Sequence, residues 1–284
     1  MRWITPRERA AWLLLSLSAL SLVVLMLCLW GWIVVQGGPA LSWEFLSKSP
    51  RKGMTEGGVL PAILGTVAAT MITALFAVPV GVGAAIYLSE YAERNTLTRW
   101  IRLSIRNLSG VPSIVYGLFG IALFVNSANL GLSILASGLT LGLLTLPWTV
   151  TASEEAMRRV PQSYRDGAAA LGATQWEGIR TVVLPAASPG IVTGAILGLA
   201  RAAGETAPIL FTGVTFFKPG LPESVFEQFM ALPYHLYILS TQHHDIEAVR
   251  PLAYATALVL LLLITALMGV ASNFRAKWTR LGAN

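Results

Sequence analysis

The chain has 284 residues, 55% of them hydrophobic and only 12% charged, with a mean hydropathy of +0.65. A soluble domain of this length carries about twice that charged fraction, so a water-soluble globular protein is excluded and an integral membrane protein is expected. The formal charge of +6 does not indicate nucleic acid, because the basic residues sit at the ends of apolar runs and form no dense stripe.

A helix crossing the hydrocarbon core needs about 20 apolar residues, and several runs supply them. The first, 11–35, follows Arg2, Arg7 and Arg9. Its charge order is that of a signal peptide, but it is longer than a normal apolar core region and shows no small-residue cleavage site, so it reads as a retained span. A second run covers 60–88 and is interrupted by Pro79. The third (108–125) and fourth (128–150) are joined by a short polar link at 126–129, the fifth covers 188–214 and the sixth 252–272. Cys28 lies within the first span and, as the single cysteine, forms no intramolecular disulfide.

Six spans put both termini on one side. The N-terminus, the 89–107 loop, the 151–187 loop and the C-terminal tail hold three, four, four and three Lys or Arg. The segments 36–59, 126–129 and 215–251 hold three, none and two. This asymmetry predicts that both termini and the two longer loops are cytoplasmic. Span interiors rich in Gly, Ala, Ser and Thr, and interrupted by Pro79, Pro112 and Pro147, predict a close-packed bundle. The expected fold is an all-α polytopic membrane protein, with residues 1–59 an N-terminal span plus outer loop and 60–284 the core.

The segment SEEAMRRVPQSYRDGAAALGATQWEGIRTVVLPAASPG (153–190) is long for a plain connection. It predicts two short helices, 162–171 and 174–183, with Gly172 as the C′ residue of the first, Thr174 capping the second and Pro185 closing it. Two short helices outside the membrane make a surface for another protein.

At this loop the chain resembles the permeases of binding-protein-dependent ABC importers. Their signature is Glu-Ala-Ala, three residues, Gly, nine residues, then Ile-x-Leu-Pro. Here Asp166-Gly167-Ala168 is followed at full spacing by Gly172 and by Val182-Val183-Leu184-Pro185. The resemblance implies that Asp166, Gly167, Ala168, Gly172, Leu184 and Pro185 belong to a coupling loop, 153–187, that docks into a cleft of an ATPase subunit. PALSWEFLS (39–47), VGAAIYLSEYA (82–92), LSGVPSIVYGLFG (108–120), ARAAGETAPILFTG (200–213) and RPLAYATALVL (250–260) resemble the PstA-type permease of phosphate importers. The related PstC type shares these motifs. The resemblance implies the type I ABC importer permease fold in the cytoplasmic (inner) membrane. It also implies a PstC-like second permease, two PstB-like ATPase subunits and an extracytoplasmic PstS-like phosphate-binding protein. None of Lys48, Lys52, Lys218 and Lys277 follows a glycine, so the chain lacks a P-loop. No cofactor is expected on this chain, and ATP is used by partner subunits.

In GLARAAGETAPIL (198–210) two opposite charges interrupt an apolar run. With Gly194 at zero on a helical wheel, Gly190 and Gly198 fall at about −40° and +40°, and Arg201 and Glu205 at about −20° and +20°. The small-residue stripe predicts that this face meets protein or a cavity rather than lipid. One reading is a bundle-locking ion pair. The other is a substrate path, in which the Arg201 guanidinium offers planar donors to a phosphate oxyanion and Glu205 holds it between transits. Ser113 and Tyr116 either line that path or hydrogen-bond between helices. His235, His243, His244 and Asp245 lack the spacing of a zinc site, so no metal is expected. No span offers a His or Asp base for Ser109 or Ser113, so no catalytic residue is assigned. The chain is therefore read as a transporter permease and not an enzyme. Permeases for molybdate or phosphonate, a membrane enzyme acting on a phosphorylated lipid, and a passive structural subunit are the alternatives.

Overall fold

A computed structural model describes residues 6–93 and 95–281. Arg2 and Arg94, two of the charges used for orientation, lie outside the described residues. Among the described residues the chain is helical, with no β-strand and isolated bridges at Arg51–Glu56 and Val214–Phe229. In chain order the α-helices are α1 Pro6–Gly37, α2 Trp43–Ser47, α3 Leu60–Ile86, α4 Thr96–Leu108, α5 Ser113–Gly120, α6 Ile134–Arg158, α7 Gln162–Ala170, α8 Gln175–Gly178, α9 Leu184–Gly204, α10 Ala207–Leu210, α11 Leu232–Thr241 and α12 Ile246–Leu281. Wider π turns extend α3 through Tyr87–Tyr91, α5 through Ile121–Ser127 and α8 through Ile179–Val183.

Among the described residues, α1, α3, α6, α9 and α12 are long and apolar enough to cross a membrane, and counting the bent pair α4/α5 as one broken span brings the number to six. That pair departs from the straight third span expected over 108–125. Residues up to Leu108 belong to α4, which meets Ser113–Ser127 at 102°. Pro112 disfavours helical geometry at Val111, so the chain turns there. The amphipathic α4, with Leu97, Trp100 and Leu103 exposed among Arg99, Arg102 and Arg106, has the composition of a helix lying at a membrane interface. It had been expected only as loop.

The bundle is built around α6, which packs between α3 and α9. On α3 the residues Ala62, Thr66, Ala69, Thr73, Ala77, Gly81 and Ala85 are buried at three- and four-residue intervals. Small side chains there admit α6 closely, and Thr73 Oγ1 donates across the contact to the Gly138 carbonyl at 3.0 Å. On α9 the stripe Gly190, Gly194, Gly198 lies against Ala156, Ala152 and Thr145 of α6. α1 rests on α12 at Gly37, where an added β-carbon would meet the Tyr254 carbonyl oxygen at 2.6 Å.

The outer segment 215–251, expected as loop, contains α11 packed on α12 and α3. Its entry is fixed by the Leu232 amide donating to Thr66 Oγ1 at 2.9 Å. The fourth span is displaced relative to expectation. Non-helical residues separate the π turn from Ser133, which caps α6 through the Ala136 amide, and α6 then runs on to Arg158. The start of the expected 153–187 loop thus belongs to α6 and its end to α9.

Candidate functional site

Arg201 lies in the last turn of α9, which ends at Gly204 rather than running to residue 214. The cause is Pro208: a continued helix would drive its ring into the Gly204 carbonyl four residues back. Glu205 is therefore extended (φ −76°, ψ 134°), and the short α10 follows with Pro208 in its first turn. This corrects the helical-wheel placement, because Glu205 does not share a helical face with Arg201. The side chain nevertheless turns back, and Arg201 Nε donates to Glu205 Oε1 at 3.3 Å. Unwound backbone at membrane depth is tolerated where it lines a cavity or is covered by protein.

On its other side the guanidinium carbon lies 5.3 Å from the centroid of the Trp148 ring. Trp148 follows Pro147 on α6, fourteen positions beyond Ile134, or roughly 20 Å along the helix from its N-terminal end. The pair therefore lies near the midpoint of the 25-residue α6, within an apolar span. The Arg201 side chain is 45% exposed and that of Glu205 18%, so the guanidinium faces out of this chain while the carboxylate is sheltered. Trp148 escaped the sequence reading; the signal available was an aromatic residue next to a proline in a span of small residues, in a chain with one intramembrane arginine.

Tyr116 and Ser113 lie on α5, which packs on α10 through Gly117; a β-carbon there would touch the Ala207 carbonyl oxygen and Pro208 at 3.1 Å. Tyr116 is within electrostatic range of Arg201, and its hydroxyl donates to the Leu108 carbonyl at 2.9 Å. Ser113 opens the first turn of the same helix and is partly exposed. Arg201, Glu205 and Tyr116 are thus gathered around the break in α9, with Ser113 one turn away on the Tyr116 helix.

The second site is the loop between α6 and α9. Gly172 has φ +81°, a conformation that excludes most side chains. Its amide donates to Ala169 O at 3.0 Å and the Ala173 amide to Ala168 O at 3.1 Å, the two bonds of a Schellman ending. Thr174 then caps α8 in a reciprocal capping box with Glu177. The break between the two helices follows from these residues. Asp166 is exposed on α7 and accepts from Gln162 Nε2 at 3.1 Å; Gly167 beside it has open space where a β-carbon would lie. Ala168 faces Gly178 across the two helices, a β-carbon at Gly178 lying 3.5 Å away. Tyr164, Leu171 and Trp176 of the same loop are exposed. Pro185 does not close this segment as expected. The helical backbone runs without a break from Gln175 through the π turn to Gly204, and Leu184 and Pro185 follow that π turn at the start of α9.

Of the histidines in 215–251, His243 and His244 lie with ring centroids 4.4 Å apart. His235 is buried within α11, while the His243 ring nitrogens lie 2.7 Å from the Gly53 carbonyl and 3.0 Å from the Asp245 carbonyl.

Residues 77–280 match the family model described as "Binding-protein-dependent transport system inner membrane component". The chain is 32% identical over 276 residues to the probable ABC transporter permease protein YqgI of Bacillus subtilis, covering 93% of this chain and 91% of that protein. It is 37% identical over 210 residues to the phosphate transport system permease protein PstA of Pasteurella multocida, covering 72% and 73%. Among solved structures it resembles a bacterial ABC transporter importing alginate, with TM-score 0.67, 12% identity, and 95% and 96% of the two chains covered. It also resembles the inward-facing MetNI methionine ABC transporter, with TM-score 0.64, 17% identity, and 78% and 95% covered. The fold is that of a type I ABC importer permease, a multi-pass inner-membrane protein that works with ATPase and substrate-binding partners. With its break beside Arg201 and the paired short helices α7 and α8, the chain belongs to the family of inner-membrane components of binding-protein-dependent transport systems.

Proposed function

We propose that this chain is one half of the membrane pore of an ATP-driven importer of inorganic phosphate. The observation that carries the reading is Arg201, half exposed within an apolar span, on the ring of Trp148 and the carboxylate of Glu205. A charge turned toward lipid at that depth costs about 2.5–3.5 kcal/mol on insertion scales, so this face turns to a polar path shared with a second permease half. A planar guanidinium suits an oxyanion, and relatives such as the Pasteurella protein are named as phosphate permeases. In this reading Glu205 and Trp148 hold the guanidinium between transits, Tyr116 and Ser113 line the same path, and the neighbouring carboxylate keeps the site from trapping the anion.

The second half is PstC-like, a PstS-like protein delivers phosphate to the outer face, and two PstB-like subunits bind and hydrolyse ATP, which this chain does not. In this reading both termini and the α7/α8 loop are cytoplasmic, which the excess of basic residues on that side supports. Asp166, Gly167, Ala168 and Gly172 with the exposed Tyr164, Leu171 and Trp176 form the docking surface, and Leu184 and Pro185 pass its movement into α9.

Radiolabelled uptake by the reconstituted complex tests the substrate. Phosphate is expected to accumulate with ATP, while molybdate and sulfate neither accumulate nor compete. Uptake of molybdate or sulfate with none of phosphate would overturn the reading.

A further inference from the structure

Two separate hydrogen-bond systems from the cytoplasmic loop converge on one residue at the end of α3. Glu90 lies in the π turn that finishes α3, and its side chain is 7% exposed. From α7, Arg165 reaches it with two donors: Nε to Oε2 at 2.9 Å and Nη2 to Oε1 at 2.7 Å. From α8, Gln175 Nε2 donates to the Glu90 main-chain carbonyl at 2.8 Å. That carbonyl is free because it belongs to the last turn of a helix, where no later amide reaches back. Ser89 Oγ adds a third donor to Oε1 at 2.9 Å.

The same guanidinium also ties in α6. Arg165 Nη1 donates to the Val160 carbonyl at 2.9 Å and Nη2 to the Met157 carbonyl at 3.1 Å, beyond and within the last turn of that helix. One arginine thus joins α7 to the ends of α3 and α6. Toward α4, among the described residues, an open cleft of about 1270 Å³ separates α4 from the α7/α8 pair. On that side the ties to Glu90 hold the two helices. A paired, nearly buried carboxylate with bidentate geometry is costly to break on one side only, because the remaining charge is left without a partner.

We infer that Glu90 is the anchor of the coupling loop, a positioning residue that makes α7 and α8 move as one body with the cytoplasmic end of α3. Motion delivered to the loop by the ATPase subunits then reaches α3 directly, in addition to the covalent route into α9. Arg165 and Gln175 are the two ties, one to each coupling helix. The inference rests on the permease reading but not on which oxyanion crosses.

The test is a coupling ratio, solute imported per ATP hydrolysed, measured on the complete reconstituted complex. Glu90→Ala is expected to assemble with the ATPase subunits and hydrolyse ATP, while the ratio falls about tenfold, within the range by which single residues between two sites modulate coupling. Glu90→Gln, neutral but still able to hydrogen-bond, is expected to fall less. A second variant guards against loss of assembly: Glu90→Cys with Arg165→Cys in a Cys28→Ser background, bridged by a short reducible bis-thiosulfonate linker. Bridging is expected to restore the ratio and reduction to remove it again. An unchanged ratio in Glu90→Ala, or a bridged protein as uncoupled as the reduced one, would overturn the anchor. Phosphate is the first solute used, with molybdate and sulfate in parallel. A wild-type complex that imports one of those instead strikes the substrate reading alone, and the anchor is then scored on that solute.

Discussion

The Arg201 guanidinium lies over the indole of Trp148, 5.3 Å from the ring centroid, so the intramembrane charge is held from below by an aromatic face and from the side by Glu205. A partly desolvated cation–π contact of this kind contributes about 1 kcal/mol. Trp148→Leu is expected to leave the complex assembled and to lower the uptake rate about fivefold, the kinetic equivalent of that energy. Trp148→Phe keeps an aromatic face and is expected to fall less. Initial-rate uptake across a range of substrate concentrations measures both, and wild-type rates in Trp148→Leu would remove the ring from the site.

The contact between α6 and α9 gives a paired prediction with opposite signs. A β-carbon at Gly194 would overlap that of Ala152, whereas one at Gly269 on α12 meets nothing within 4 Å. Gly194→Ala is expected to destabilise by about 1–3 kcal/mol through overpacking. Gly269→Ala is expected to be neutral or to stabilise by up to about 1 kcal/mol, because alanine is the better helix residue. Thermal unfolding of the purified complex in detergent distinguishes them.

Runs of apolar residues made the spans legible, and the glycine stripe at 190, 194 and 198 marked the face of α9 that is turned to protein, because small residues at four-residue intervals let helices approach closely. Gly172 and Thr174 marked the break between α7 and α8, since each residue type suits one terminal geometry. The break after Gly204 was less visible. It depends on Pro208, four residues downstream and inside what reads as a continuous span, so the helical wheel carried Glu205 one step too far. Trp148 and Glu90 were illegible for a different reason. Their partners lie 53 and 75 positions away along the chain, and no local pattern encodes a contact made by packing α6 on α9 or by folding α7 back on α3.

At the docking surface, Gly172→Val forces a β-branched side chain into positive φ and is expected to displace α8. The ATPase subunits should then fail to co-purify, with the spans still inserted. Thr174→Ala removes only the cap and should cost about 1 kcal/mol, weakening association without abolishing it. Pull-down of the ATPase subunits on the two variants checks the ranking, and full association in Gly172→Val would exclude the docking role.

On the outer side, His235 is buried in α11, and burial pushes its pKa down to about 4 from 6.5. Nδ1 has no hydrogen-bond partner among the described residues. The folded protein therefore keeps the ring neutral where the unfolded chain already takes up a proton. Stability is full above pH 6.5 and is lost as the pH falls toward 4, by up to about 3 kcal/mol. His235→Phe is expected to flatten this acid limb. Melting temperatures between pH 7.5 and about 4.5 measure it, and an unaltered pH dependence in the variant would assign the acid limb to other groups.

The most direct measurement is the double-variant cycle at Arg201 and Glu205, scored on both assembly and phosphate uptake. Arg201→Ala alone leaves a sheltered carboxylate without its partner, and stability falls under either reading of the pair. Arg201→Ala with Glu205→Ala removes both charges and is expected to recover folding and assembly. If Arg201 contacts the substrate, that assembled double variant should still lack uptake, and Arg201→Lys should restore only part of it, because an ammonium does not reproduce the guanidinium fork. Full phosphate uptake by the double alanine variant would contradict the account and leave Arg201 as half of a structural ion pair.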